Sequence, residues 1–193
     1  MDGILFGTSV MGAVIVALLI DAMVGEPRVL WARLGHPVVW LGNFATRIEQ
    51  IFNKGQRRVQ RGTFAWLRVV SFAALVGLLL QILCSWLSYG WALMGIIGSV
   101  GIAAKSLDQH VRAVAKGLDQ GLDQGRAAVS QIVGRDPHSL DEAGVARAAI
   151  ESLAENSSDG VFAPLFWFAL LGLPGLFAYK ACLLYTSPSP RDA

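Results

Sequence analysis

Residues 132–167, IVGRDPHSLDEAGVARAAIESLAENSSDGVFAPLFW, decide how the rest of the chain is read. Gly134-Arg135-Asp136-Pro137 opens the stretch as a turn, because proline disfavours helix at the residue before it. Ser139 stands where an N-cap belongs, and Glu142 three residues on completes a Ser-x-x-Glu capping box. The pattern predicts a helix over 140–156, rich in alanine and free of proline. Within it Arg147, Glu151 and Glu155 recur at i, i+4 and i+8, so an arginine and two carboxylates share one stripe. Asn156-Ser157-Ser158-Asp159-Gly160, a cluster of turn residues, is predicted to end the helix. An apolar segment over 161–179 follows at once and reads as a membrane span, interrupted by Pro164 and by Gly172-Leu173-Pro174-Gly175. A carboxylate-rich helix end is therefore expected close to a bilayer surface.

The stripe has two readings. A solvated helix face with i,i+4 pairs is the plain one, each pair worth about 0.2–0.5 kcal/mol. Against it, Glu151 over Glu155 is a like-charge pair that calls for a partner. One arginine cannot neutralise Glu151, Glu155 and Asp159, and the repulsion favours protonation or a bound cation. Mg²⁺ suits such a group, since it takes one or two carboxylates together with phosphates and waters.

Composition places this stretch in a membrane protein. Apolar residues make up 54% of the 193 and charged residues only 16%, and the mean hydropathy is +0.51, too apolar for an ordinary soluble domain. A net charge of +2 implies no general affinity for nucleic acid. Cys84 and Cys182 give neither a metal spacing nor a disulfide framework.

Along the chain, residues 3–20 carry no charge and read as a first span. Asp2 stands in place of a basic leader region, and no small-x-small cleavage site follows, so the segment is expected to be retained. Asp21 at its edge is a snorkelling end residue or a functional acid. The polar segment 25–65 holds seven lysines and arginines against Glu26 and Glu49. By the positive-inside rule it is cytoplasmic and the N-terminus lies outside. Lys54 to Arg61 reads as a lipid-facing basic cluster. Residues 66–104 are too long for one crossing and divide into spans at 66–86 and 89–104, joined near Ser88-Tyr89-Gly90. The second is short and rich in glycine, which suits close packing, or it re-enters on the same side. Residues 105–133 are amphipathic, and the repeat Gly117-Leu118-Asp119-Gln120-Gly121-Leu122-Asp123-Gln124-Gly125 allows a close helix approach.

RAAIESLAENSSDG followed by APLFW, with IVGRD ahead of it, resembles the signature of the adenosylcobinamide-phosphate synthase family (CobD/CbiB), membrane proteins of cobalamin biosynthesis. The resemblance covers about residues 24–181 and includes Gly25-Glu26-Pro27, His36-Pro37-Val38, Lys105-Ser106-Leu107, Gly172-Leu173-Pro174-Gly175 and Tyr179-Lys180. Glu26 departs from the family's usual Asp but keeps the carboxylate. After Ala181 the family continues with an Asn-Thr-x-Asp-Ser-Met type of segment, where this chain reads CLLYTSPSPRDA. Residues 1–181 are thus expected to be the N-terminal part of one membrane-embedded synthase domain. Residues 182–193 are expected to be a non-native tail, of the kind a translated sequencing adapter gives, that packs against nothing.

The resemblance implies an all-α, multi-pass inner-membrane protein with about four spans, cytoplasmic amphipathic helices and a cytoplasmic active face. It implies ATP-dependent condensation of adenosylcobyric acid, a corrinoid, with aminopropanol or its phosphate. Such an amide ligation activates a carboxylate as an acyl phosphate and needs Mg²⁺, cations for phosphate oxygens and a base for the incoming ammonium. The family pattern implies catalytic roles for Glu151, Glu155, His36 and Lys105. It implies substrate contacts from Glu26, His110, Arg135, Asp136, Arg147, Asn156 and Asp159, and Mg²⁺ on Glu151, Glu155 and Asp159. His36, Lys105 and Arg135 are expected to converge on the acidic stripe. ATP and Mg²⁺ rest on the resemblance alone, since no Walker-A loop occurs. The implied partners are the corrinoid, the amine and the lipid bilayer, and a complex with other membrane corrinoid enzymes is compatible. Two other classes compete. A non-catalytic AmpE-like membrane regulator on the same fold could shed the acidic block, which is retained here. A transporter would place charges inside the spans, whereas here they cluster outside them.

Overall fold

The computed structural model describes residues 2–25, 27–52, 57–133 and 136–186. They are all-helical, with no strand among the described residues. In chain order the helices are α1 (Asp2–Met23), α2 (Arg28–Leu34), α3 (Pro37–Phe52), α4 (Arg58–Ser85), α5 (Gly90–Ser99), α6 (Ala104–Gln120), α7 (Leu122–Val129), α8 (Glu142–Ser157), α9 (Ala163–Leu171) and α10 (Leu173–Thr186). Two stretches, Val59–Ser85 and Gly90–Gln120, are long and apolar enough to cross a membrane, and Ser9–Met23 is a shorter apolar one. Leu75, Leu79, Ile82 and Leu83 of α4 and Ile15, Leu18 and Leu19 of α1 are exposed, a pattern that fits lipid as the surrounding solvent.

The main core joins α1, α4, α5, α9 and α10 around Val10, Ala13, Ala17, Phe168, Leu173 and Leu176. Lipid tails give little hydrophobic drive between helices, so closeness of approach matters more. The glycines of α5 and of the break after it supply it. A Cβ at Gly95 would lie 2.7 Å from the Ala13 carbonyl oxygen, one at Gly98 2.5 Å from the Phe168 ring, and one at Gly101 2.9 Å from Leu176 Cδ1. The glycine-rich second segment therefore packs closely, as its composition suggests. Its helix is only 10 residues long, about 15 Å, and α6 starts beyond a break at 100–103. The tight connection between the two segments is found at residues 86–89.

A second core unites α6, α7 and α8 through Val114, Val129, Val145, Ala148 and Ala149. The glycine repeat lets α6 and α7 touch: a Cβ at Gly117 would lie 2.8 Å from the Gln124 carbonyl oxygen, and one at Gly125 2.5 Å from Leu118. A third core sets the amphipathic α3 against α4 and α10 through Ala45, Val69, Ala73 and Ala181.

Four expectations are corrected. The cap of α8 is Asp141, whose Oδ1 accepts from the Gly144 N–H at 2.7 Å, rather than Ser139. Pro137 draws Ser139 into a 3-10 turn, 137–139, so the helix begins two residues late. Nor does the chain stop at 156–160. A π turn over Ser158–Phe162 carries it without interruption into α9.

Residues 161–179 do not form one span. Gly172, at φ 72°, a value that favours glycine, breaks the segment and α10 turns back along α9. A Cβ at Gly175 would run into the Trp167 carbonyl oxygen, and Asp159 meets Tyr179 and Lys180 at the open end. The result is a helical hairpin with arms of 9 and 14 residues, about 14 and 21 Å, both short of a roughly 30 Å hydrocarbon core. Gln81 of α4 holds its tip, accepting from the Leu173 N–H at 2.9 Å.

The last correction concerns the tail. Helix α10 runs on to Thr186, Tyr185 packs on the third core and its hydroxyl donates to the Gly62 carbonyl at 3.2 Å. Tyr185 thus packs against α4, and residues 187–193 lie outside the described residues.

Candidate active site

Residues carrying chemistry gather at the end of the bundle where α1 ends, α6 begins and the hairpin opens. Asp21 is 3% exposed, and its Oδ2 accepts from the Lys105 backbone N–H at 3.0 Å. The Lys105 ammonium donates to the Met23 carbonyl at 2.6 Å. A cation there satisfies a carbonyl that the helix end leaves over and complements the α1 dipole. A Cβ on Gly25 would lie 2.7 Å from Lys105 Cδ, so the chain after α1 rests on the lysine stem. Lys105, assigned by resemblance to catalysis, thus latches α1 to α6.

The π turn is pinned from two sides. Asp159 Oδ1 accepts from the Tyr179 hydroxyl at 3.2 Å, and the Asp159 carbonyl accepts from Lys180 Nζ at 3.3 Å. On the other side the Gly160 carbonyl accepts from the Ala103 N–H at 3.1 Å. Turns of this kind occur often at functional sites. Here the turn draws Asp159 toward α10, while Arg147, Glu151 and Glu155 lie exposed on α8. The three-carboxylate group expected for Mg²⁺ is therefore not assembled. Among the described residues no three His, Cys, Asp or Glu side chains come together as a metal set.

Of the three residues expected beside the acidic stripe, Arg135 lies outside the described residues, Lys105 is engaged at the end of α1, and His36 stands elsewhere. His36 lies on the wall of a cavity of about 700 Å³, with Trp40, Phe44, Phe72 and Lys180 also lining it. Its Nδ1 accepts from the Val38 N–H at 3.2 Å, and its ring lies 4.8 Å from that of Trp31. The wall is almost wholly apolar, which suits a bulky ligand with few polar contacts. Asp136 is exposed and turned on its own backbone, its Oδ1 accepting from the His138 N–H at 2.9 Å. Glu26 and Arg135 lie outside the described residues.

His110 and Asn156 do come together. They line a second cavity, of about 420 Å³, with Ser106, Gln131, Ala103 and Gly160. The cavity sits between α6, α8 and the turn at 130–133, with the mutually bonded Ala103 and Gly160 on its wall. Sequence reading missed Ser106 and Gln131 as wall residues and Lys180 as a partner of Asp159. For Lys180 a signal existed, a Tyr-Lys pair closing an apolar segment, but it has meaning only once the segment folds back.

A family described as CobD/Cbib protein matches residues 14–185. A cobalamin biosynthesis protein CobD from Sinorhizobium sp is 52% identical over 170 residues, covering 85% of this chain and 53% of the relative. Its counterpart from Rhodobacter capsulatus is 48% identical over 172 residues, covering 86% and 54%. That from Brucella suis is 48% identical over 170 residues, covering 85% and 52%. The chain thus spans about half the length of the curated relatives it matches. No solved structure matches it. With a match that runs over most of the chain and takes in the π turn, the hairpin and both cavities, this protein belongs to the CobD/CbiB family.

Proposed function

We propose that the chain carries about half of a cobalamin-pathway synthase, its N-terminal part, which joins adenosylcobyric acid to aminopropanol or aminopropanol phosphate. The ligation is ATP-dependent and gives adenosylcobinamide or its phosphate. The observation that carries this reading is family membership along nearly the whole chain, with relatives named for cobalamin biosynthesis. The two cavities are compatible with it, being of different size and polarity, as two unlike substrates require.

ATP is the co-substrate that activates the corrinoid carboxylate. Mg²⁺ fits only as an ion brought by phosphates: Glu151 and Glu155, one turn apart on the exposed face of α8, supply two carboxylates, and Asp159 stands apart from them. When bound, it would neutralise phosphate charge. The chain's own contribution is positional. Lys105 and Asp21 lock α1 to α6, the π turn fixes α8 against the hairpin, and Ala103 and Gly160 of that junction line the smaller cavity.

In the membrane reading α1, α4 and α5 with the start of α6 cross the bilayer, while the α9–α10 hairpin enters and returns. Three crossings then replace the expected four. The contacts of Lys105 with Met23, Tyr185 with Gly62, and Lys180 with Asp159 bring the basic segment and the acidic helix to one end. The excess of lysine and arginine over 25–65 makes that end cytoplasmic.

Complementation tests the function. The full-length natural gene, placed in a bacterium lacking this synthase and fed adenosylcobyric acid, should restore cobalamin-dependent growth. Membranes from it should form the amide only when ATP and the amine are both present. Stable membrane expression without either result would overturn the reading.

A further inference from the structure

Two side chains on the wall of the 420 Å³ cavity have their hydrogen-bonding sense fixed by their neighbours. His110 Nδ1 lies 2.7 Å from the Ser106 carbonyl oxygen. A carbonyl cannot donate, so Nδ1 carries the proton and Nε2 of the neutral ring is an acceptor. Asn156 is fixed by a relay. Ser152 Oγ spends its only proton on the Ile132 carbonyl at 2.9 Å. It must therefore accept from Asn156 Nδ2, 3.0 Å away. The same amide nitrogen donates to the Ser152 carbonyl at 2.8 Å. Both amide protons are then engaged, and Oδ1 is left as an acceptor.

The residues around the cavity thus include an imidazole nitrogen and an amide oxygen that can only accept, beside Ser106 and Gln131, whose hydroxyl and amide can take either role. No lysine or arginine lines it among the described residues. With two fixed acceptors and no fixed cation, such a site favours a ligand with donors over a bare anion. A primary ammonium, with three donors and no acceptor, is the complement. The volume suits a short amino alcohol and excludes a corrin macrocycle.

We propose that this cavity seats the ammonium end of the amine substrate, with Asn156 Oδ1 accepting one N–H and His110 Nε2 removing the proton that blocks attack. The proposal rests on the amide-synthase reading and assigns one of its two substrates a place. Once His110 has taken that proton, the amine nitrogen attacks the activated acyl carbon. The C–N bond forms and the C–O bond to phosphate breaks. Inorganic phosphate leaves with the bonding electrons, and the second nitrogen proton passes to it or to water. Phosphate on the amino alcohol would have to project out of the cavity.

Calorimetric titration of the full-length natural protein in detergent, with 1-aminopropan-2-ol and separately with propane-1,2-diol, tests the site. The amine should bind and the diol should not. His110→Ala and Asn156→Ala should each weaken amine binding by about tenfold or more, and His110→Gln, which keeps an acceptor near Nε2, should recover part of the loss. The melting temperature guards against misfolding in the truncations: His110→Ala, Asn156→Ala and His110→Gln should each melt within about a degree or two of the wild type. Equal binding of amine and diol by the wild type, or wild-type amine affinity in a folded His110→Ala or Asn156→Ala variant, would overturn the proposal. The site and the synthase reading fail separately. Ligation by His110→Ala with wild-type KM for the amine sinks the site and leaves the synthase. Amine binding that obeys the variants, in an intact protein that never forms the amide, upholds the site and sinks the synthase.

Discussion

Trp167 and Gly175, eight residues apart in the chain, meet through their backbones, so closely that a Cβ on Gly175 would collide with the Trp167 carbonyl oxygen. In an uninterrupted helix the two would stand about 12 Å apart along the axis. This one approach folds the apolar segment back on itself and brings Asp159 to Tyr179 and Lys180.

Gly175→Leu should therefore open or strain the hairpin and lower stability by about 1–3 kcal/mol or more. The control is Gly42→Ala in α3, where nothing lies within 4 Å of an added Cβ. It should be neutral or stabilising by up to about 1 kcal/mol. Thermal unfolding in detergent would show the contrast, and equal melting temperatures for both variants would remove the hairpin contact.

The latch between α1 and α6 makes a graded prediction. Asp21→Asn keeps an acceptor oxygen for the Lys105 N–H and should cost little. Asp21→Leu leaves that donor unsatisfied in a buried site, at about 1–3 kcal/mol. A denaturation series should rank wild type, Asn and Leu in that order, and an Asn variant as damaged as Leu would mean that the carboxylate charge matters more than the bond.

Topology can be read by labelling. With Cys84 and Cys182 replaced, Arg57→Cys and Gln120→Cys should react with an impermeant maleimide from the same side of the membrane. Ser88→Cys, in the connection between α4 and α5, should react from the other. Opposite sides for 57 and 120 would contradict the shared end that Lys105 and Met23 define.

Glu151 and Glu155 are exposed on α8, so their exchange for glutamine should leave folding nearly untouched. In the full-length protein either change should abolish ligation while the melting temperature stays within about a degree or two, as for surface substitutions generally. Near-normal turnover at saturating ATP and Mg²⁺ in both variants would reduce the pair to scaffolding.

Tyr185 tests the end of α10. Losing its hydroxyl in Tyr185→Phe should cost about 0.5–1.5 kcal/mol through the bond to the Gly62 carbonyl, and Tyr185→Ala should cost more by emptying its seat on the third core. If unfolding is unchanged in both, residues 182–186 do not pack as the structure has them.

Local chemistry settled a good deal here. Helix-forming composition, the turn near residue 88 and the glycines of α5 were legible because each depends on neighbours within a turn or two. The block 132–167 also carried the family, since its string of residues is distinctive without reference to shape. Tertiary structure decided the rest. Hydropathy reads 161–179 as apolar whether it crosses a bilayer or doubles back, and only Gly172 at positive φ with the close passage of Gly175 past Trp167 separates the two. Helical periodicity put Asp159 near the stripe of Glu151 and Glu155, but the π turn and its bond to Tyr179 rotate it away. Lys105 reads as a free cation in the sequence and ends as the cap of a helix whose last residue, Met23, is 82 positions earlier. Side chains choose partners across such distances because a helix end leaves carbonyls unsatisfied and a buried N–H needs an acceptor, demands that are set where helices meet and have no trace in the pattern of any one of them.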